Sequence, residues 1–206
     1  MRRSYIISDS LYRLTHAFKR NKVTVGIYAL FAAVFIVIGI VIGVNMEDKS
    51  AYALNNGAVI FKFLRGDTGA FAFFFTDFLL NTVYAAFAAI VIYPRFLWVI
   101  SVAPMLYKSY SLGASVCVIV FVYSASALPM LFVLFVPMCI IEIAVFSALS
   151  FRSKCFSLEF GRGAPCKPDI KYYAKKTLPY IAVLVVCSII KTVTVVLFGS
   201  ALIGII

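Results

Sequence analysis

Residues 95–151 read RFLWVISVAPMLYKSYSLGASVCVIVFVYSASALPMLFVLFVPMCIIEIAVFSALSF. The stretch is long enough for two passes through a bilayer, yet it holds Lys108 and Glu142 inside otherwise apolar sequence. A charge at the centre of a spanning helix costs about 2.5–3.5 kcal/mol on insertion scales, so such residues face other helices or a wet cavity and find partners. Asp77 and Lys191, on flanking apolar segments, complete a set of two acids and two bases. The simplest expectation is a neutral interior that pairs with itself. Lys108 with Glu142 is the strongest local pattern, read as a structural ion pair at the centre of a bundle. A proton or ion relay is the competing reading.

Composition fixes the class. Of 206 residues, 64% are hydrophobic and 13% charged, and the mean hydropathy is +1.04. A soluble domain carries roughly a quarter charged residues, and a bilayer asks for about 20 apolar residues per spanning helix. An integral, multi-pass membrane protein is expected, in the cell membrane. The formal charge of +11 is placed as a topology signal, not as a nucleic-acid footprint. Residues 1–22 and residues 152–177 each carry +5, while residues 45–70 are neutral. Lys and Arg near span ends stay cytoplasmic, and the same residues are expected to meet anionic lipid headgroups.

Outward from the central stretch, the expected order is a basic cytoplasmic segment (1–22) and a membrane domain (23–206). Its five spans lie near 23–44, 71–93, 96–123, 128–151 and 178–206. The result is an all-α polytopic bundle, N-terminus inside and C-terminus outside. The first 22 residues present Tyr5, Ile6, Leu11, Tyr12, Leu14 and Phe18 along one side of an amphipathic helix. The apolar run 23–44 is longer than the usual core of a signal peptide, and Asn45-Met46-Glu47 offers no small-residue cleavage pattern, so it reads as a retained span. Gly39 and Gly43 have the Gly-x-x-x-Gly spacing that allows close helix approach. Packing within the chain and pairing with a second copy are both open, the former preferred.

The outer loop 45–70 has Leu54, Ala58, Phe61 and Leu64 at helical spacing, as in a short interfacial helix. The second span carries alanines 85, 86, 88 and 89 on one side, with Asp77 and Asn81 one turn apart. Asp77, near the outer end, is either hydrated at the interface or paired inside. Pro104, four residues before Lys108, is expected to kink or break the third span, which could also be re-entrant. Pro129 opens the fourth span and Pro137 lies inside it.

Hydrolytic chemistry lacks its parts: no phosphate-cradling glycine loop, Ser/His/Asp set or zinc-protease helix is present. Ser188 and Lys191 are three apart, and Ser109 and Ser111 adjoin Lys108, but serines in spans commonly bond backbone carbonyls. Five scattered cysteines and the single His16 suggest no metal site, disulfide or cofactor.

The run Ala103-Pro-Met-Leu-Tyr-Lys-Ser-Tyr-Ser-Leu-Gly113, then Leu128-Pro129, then a segment ending Ala144-Val-Phe-Ser-Ala-Leu-Ser-Phe, resembles the stage II sporulation protein M family. The pattern departs at Ser109, where glycine is expected. The resemblance implies a non-enzymatic membrane scaffold acting with stage II sporulation proteins D and P, which cut peptidoglycan to thin the septum and drive engulfment. Lys108, Gly113, Pro129 and Glu142 would then be structural markers. The alternative is a small transporter, or the membrane subunit of an uptake system, holding a ligand on Lys108, Glu142, Asp77 or Lys191. A closed ion pair with no cavity favours the scaffold and a pocket of several hundred cubic ångströms favours transport.

Overall fold

The computed structural model describes residues 22–46, 69–90, 97–123, 135–160 and 170–203. It is all-helical, with no strand among the described residues: α1 Lys22–Asn45, α2 Ala70–Ile90, a 3-10 segment Leu97–Val102, α3 Ala103–Tyr123, α4 Val136–Phe160 and α5 Ile170–Ile203. In hydrocarbon every backbone N–H and C=O must be satisfied within the protein, and helices do this segment by segment. α1, α2, α4 and α5 are long and apolar enough to cross a membrane. α3 is not among these, so four helices rather than five meet that standard within the described residues. The expectation of a helical membrane bundle holds.

Proline accounts for where α3 begins. A proline has no N–H to donate, and its ring collides with the preceding turn unless it lies in the first turn of a helix. Pro104 is the second residue of α3 and Pro137 the second of α4. Phe135, just before α4, is itself in a π-helical turn, and residues 124–134 lie outside the described ones, so where the helix holding Pro137 begins is not described. At Pro104 the expected break takes the form of a change of helix type, from 3-10 to α. Pro104 also cannot supply the 3-10 partner of the Ser101 carbonyl. The Ser150 hydroxyl donates to that carbonyl at 2.6 Å, and lies 2.8 Å from the carbonyl of Phe146 in its own helix. Ser150→Ala is expected to lower stability by about 1–3 kcal/mol, the cost of an unsatisfied buried group. Chemical unfolding of the detergent-solubilised protein would read this, and an unchanged midpoint would refute it.

Two boundaries differ from those expected. α4 continues to Phe160, through Arg152 and Lys154, because no glycine or proline intervenes before Gly161. α5 starts at Ile170 and contains Pro179. The first and last residues of the expected basic loop are thus helical. The amphipathic N-terminal segment, the interfacial helix at 54–64, Pro129 and the turn at 124–127 lie outside the described residues.

α4 packs against α2, α3 and α5, and α2 against α3 and α5, whereas α1 packs mainly on α3. Phe146, Leu149, Met105 and Val195 are wholly buried at the centre, with Ala85 and Ala88 of α2 beside them. Ala86 is exposed, so the alanines do not share one side. Large apolar residues such as Leu30, Val37, Leu79, Val193 and Leu197 face outward, as expected of a surface solvated by lipid.

The α1–α3 contact is made by backbone. A methyl group on Gly39 would collide with the Tyr110 carbonyl oxygen and come within 2.9 Å of the Ala114 nitrogen. One on Gly113 would collide with the Ile36 carbonyl oxygen and come within 2.9 Å of its carbon. Gly43 is buried one turn beyond Gly39. The described partner of the Gly39 to Gly43 face is thus a helix of the same chain.

Candidate functional site

Four helices bring the four intramembrane charges together. Asp77 lies on α2, Lys108 on α3, Glu142 on α4 and Lys191 on α5. Lys191 Nζ is 2.7 Å from Asp77 Oδ1 and 2.6 Å from Glu142 Oε1. Lys108 Nζ is 3.4 Å from Glu142 Oε2 and 4.0 Å from Asp77 Oδ1. The set is neutral, and each base touches both acids. The side chains of Lys191 and Glu142 are 4% and 1% exposed, that of Lys108 15%, so Lys191 is the enclosed member and Lys108 the outer one.

This arrangement corrects the emphasis on Lys108 with Glu142. The shorter contacts belong to Lys191, which bridges the two carboxylates. Asp77 is paired inside the bundle and is not simply hydrated at an interface.

Two neutral residues complete the cluster. Asn81, one turn after Asp77, directs its Nδ2 to Glu142 Oε1 at 2.9 Å, Asp77 Oδ2 at 3.1 Å and Ser188 Oγ at 3.2 Å. With two hydrogens it can serve two of these acceptors at once. Ser188 donates to Asp77 Oδ2 at 2.7 Å. Ser188 and Lys191 therefore share a helix face, three residues apart, to hold the same carboxylate. Asn81 was visible in the sequence only as a polar residue one turn from Asp77. That it reaches α4 and α5 depends on helix rotation, which spacing does not specify.

Several other serines and threonines in the spans are satisfied locally, whereas the buried Ser153 hydroxyl has no hydrogen-bond partner among the described residues. Ser109 donates to the Met105 carbonyl at 2.9 Å, Ser147 to Ile143 at 2.7 Å, Thr192 to Ser188 at 2.8 Å and Thr194 to Ile190 at 2.8 Å. Each is a bond to the carbonyl four residues earlier, the usual resort of a hydroxyl in an apolar helix.

Beside Lys108 the cluster opens on a cavity of about 70 Å³, bordered by Tyr84, Tyr107, Ser111 and Ser115. The ammonium of Lys108 is 5.9 Å from the centre of the Tyr84 ring, close enough for a cation–π attraction. Tyr84 in turn packs against Tyr107 at 5.5 Å and edge-on to Phe146 at 6.4 Å between ring centres. The volume suits a few water molecules. It is far below the roughly 300 Å³ at which small-molecule pockets begin.

No family model, curated protein or solved structure matches the chain. The cluster must therefore be interpreted from its own geometry.

The two lysines differ in what their loss would do. In Lys108→Met both carboxylates keep Lys191, so the expected cost is about 1.5–3 kcal/mol, the range for a hydrogen bond to a charged group. Adding Glu142→Gln should then recover part of the loss. If the double variant unfolds no later than the worse single variant, Lys108 and Glu142 are not energetically coupled.

Proposed function

We propose that the protein is a non-enzymatic membrane scaffold whose polar centre holds four helices in register. The observation that carries this reading is the mutual compensation of charge beside a cavity too small for a metabolite. Two acids and two bases compensate one another within 2.6–4.0 Å, and the adjoining space of about 70 Å³ admits water but no metabolite. A buried charge set of this kind fixes which helices meet and at what height. The outward surface is left for partners and lipid.

In this reading the resemblance of residues 103–151 to the stage II sporulation protein M family supplies the process: positioning enzymes that remodel peptidoglycan, such as stage II sporulation proteins D and P, at the cell membrane. Support comes from the same stretch. Gly113 is at the α1–α3 crossing, and Lys108 and Glu142 lie in the charge cluster. Crosslinking the tagged protein in native membranes, followed by mass spectrometry of what it retains, tests the proposal. Cell-wall hydrolases are expected. An ATPase or solute-binding subunit would overturn it in favour of the transporter reading, in which Lys108 and its wet cavity would serve an ion.

The proposed orientation places the basic segments 1–22 and 152–177 inside. In a background without native cysteines, Asn56→Cys is expected to react with an impermeant maleimide added outside, and Gly163→Cys only after permeabilisation. The opposite pattern would invert the topology.

A further inference from the structure

On the side of the bundle away from the charge cluster, α1 and α4 diverge and leave an apolar groove of about 570 Å³. Its size falls within the range of small-molecule sites. α1 supplies residues from Val25 to Ile36, α4 those from Ile140 to Arg152, and Tyr180 of α5 closes one end. The groove exists because α1 packs mainly on α3 and does not close on α4. Small residues keep it open: Ala29, Ala32 and Ala33 face Ala144 and Ala148 across it.

Its two ends differ. At Ile140 it is wholly apolar, whereas at the other end stands the guanidinium of Arg152, 5.6 Å from the centre of the Tyr180 ring. Stacking on tyrosine uses the face of a guanidinium, and its five N–H donors lie in the plane, enough to serve a phosphate together with another partner. Tyr28 lines the same groove, and its hydroxyl is buried without a hydrogen-bond partner among the described residues. Lys22 and Lys154 lie at this end, and both adjoining segments of sequence carry +5.

Length is the third argument. Arg152 lies twelve positions after Ile140 along the α4 wall, which at a rise of about 1.5 Å per residue is ~18 Å. One leaflet contributes about half of a ~30 Å hydrocarbon core. The groove thus matches one leaflet, with its cation where headgroups begin.

We propose that this groove is a binding site for an anionic phospholipid, one acyl chain lying between α1 and α4 and the phosphate meeting Arg152. The site is independent of the scaffold role and of the partners assigned to it. An anionic headgroup is preferred over a zwitterionic one because the whole Arg152 end is basic.

The test is native mass spectrometry of the full chain in detergent, titrated with phosphatidylglycerol or phosphatidylcholine. The wild type is expected to retain phosphatidylglycerol preferentially. Arg152→Gln should weaken that retention about tenfold, as expected for loss of a charge-assisted hydrogen bond, and narrow the preference over phosphatidylcholine, because the phosphate is common to both lipids and the net charge is not. Ala144→Trp, an exposed position whose side chain would fill the groove, should abolish retention of both. Val193→Trp, on the outer face of α5, should change nothing. Equal retention of the two lipids by the wild type overturns the proposal, as does wild-type retention in Ala144→Trp. A change of oligomeric state in Ala144→Trp would assign the groove to a second copy. Should Arg152→Gln fail to fold, the Ala144→Trp and Val193→Trp pair decides alone.

Discussion

Lys191→Met is expected to be the most damaging single substitution in the chain. The lysine is enclosed between Asp77 at 2.7 Å and Glu142 at 2.6 Å, so its removal leaves two carboxylates with only the more distant Lys108. Breaking a buried ion pair from one side costs about 3–5 kcal/mol, because the remaining charge is uncompensated. That is a large share of a typical folding free energy. The variant should accumulate poorly in membranes and unfold early in a denaturant titration. Asp77→Asn in the same background restores neutrality and should recover much of the loss. Wild-type stability for Lys191→Met would mean that the cluster is not what holds α2, α4 and α5 together.

The second large effect is steric. Gly113→Ala places a methyl group against the backbone of Ile36, and Gly39→Ala places one against the backbone of Tyr110 and Ala114. A flexible side chain could yield; a helix backbone cannot, so α1 and α3 must separate. Overpacking typically costs about 1–3 kcal/mol, and these sites belong at the upper end. Gly26→Ala is the control. Nothing lies within 4 Å of a methyl group there, and alanine is the better helix former by about 1 kcal/mol. Each variant's stability, measured alongside crosslinking between engineered cysteines on α1 and α3, would separate local loss of α1 from global unfolding. If Gly113→Ala and Gly26→Ala behave alike, the close crossing is not a determinant of the fold.

Much of this was legible in the residues. Apolar runs of spanning length gave the helices, and four charges stranded in such runs had to meet, because each is too costly alone. The Gly39 to Gly43 spacing marked a face for close approach, and Gly113 was marked on the helix that meets it. What spacing could not convey is which charge occupies the middle. Lys108 and Glu142 lie on successive apolar segments and so look like the natural pair, whereas Lys191 comes last and looks peripheral. The rotation and height of α5 against α2 and α4 bring Lys191 between both acids, and these are tertiary properties. The start of α3 was obscured for a different reason. A proline in an apolar run can interrupt a helix or begin one, and the run alone does not distinguish the two.

The separation of Asp77 from Lys191 has a consequence for how the chain is made. The two residues that make one of the shortest contacts in the cluster are 114 positions apart. At the usual pace of 5–20 residues per second, synthesis leaves Asp77 without that partner for on the order of ten seconds. α1 carries no charge between Val23 and Val44 and can rest in the bilayer as soon as it emerges. α2, α3 and α4 each bring an ionised group whose neutralisation is incomplete until the final helix arrives. Until α5 enters, Asp77, Lys108 and Glu142 leave one acid uncompensated, and Lys191 is the group that completes the neutral set.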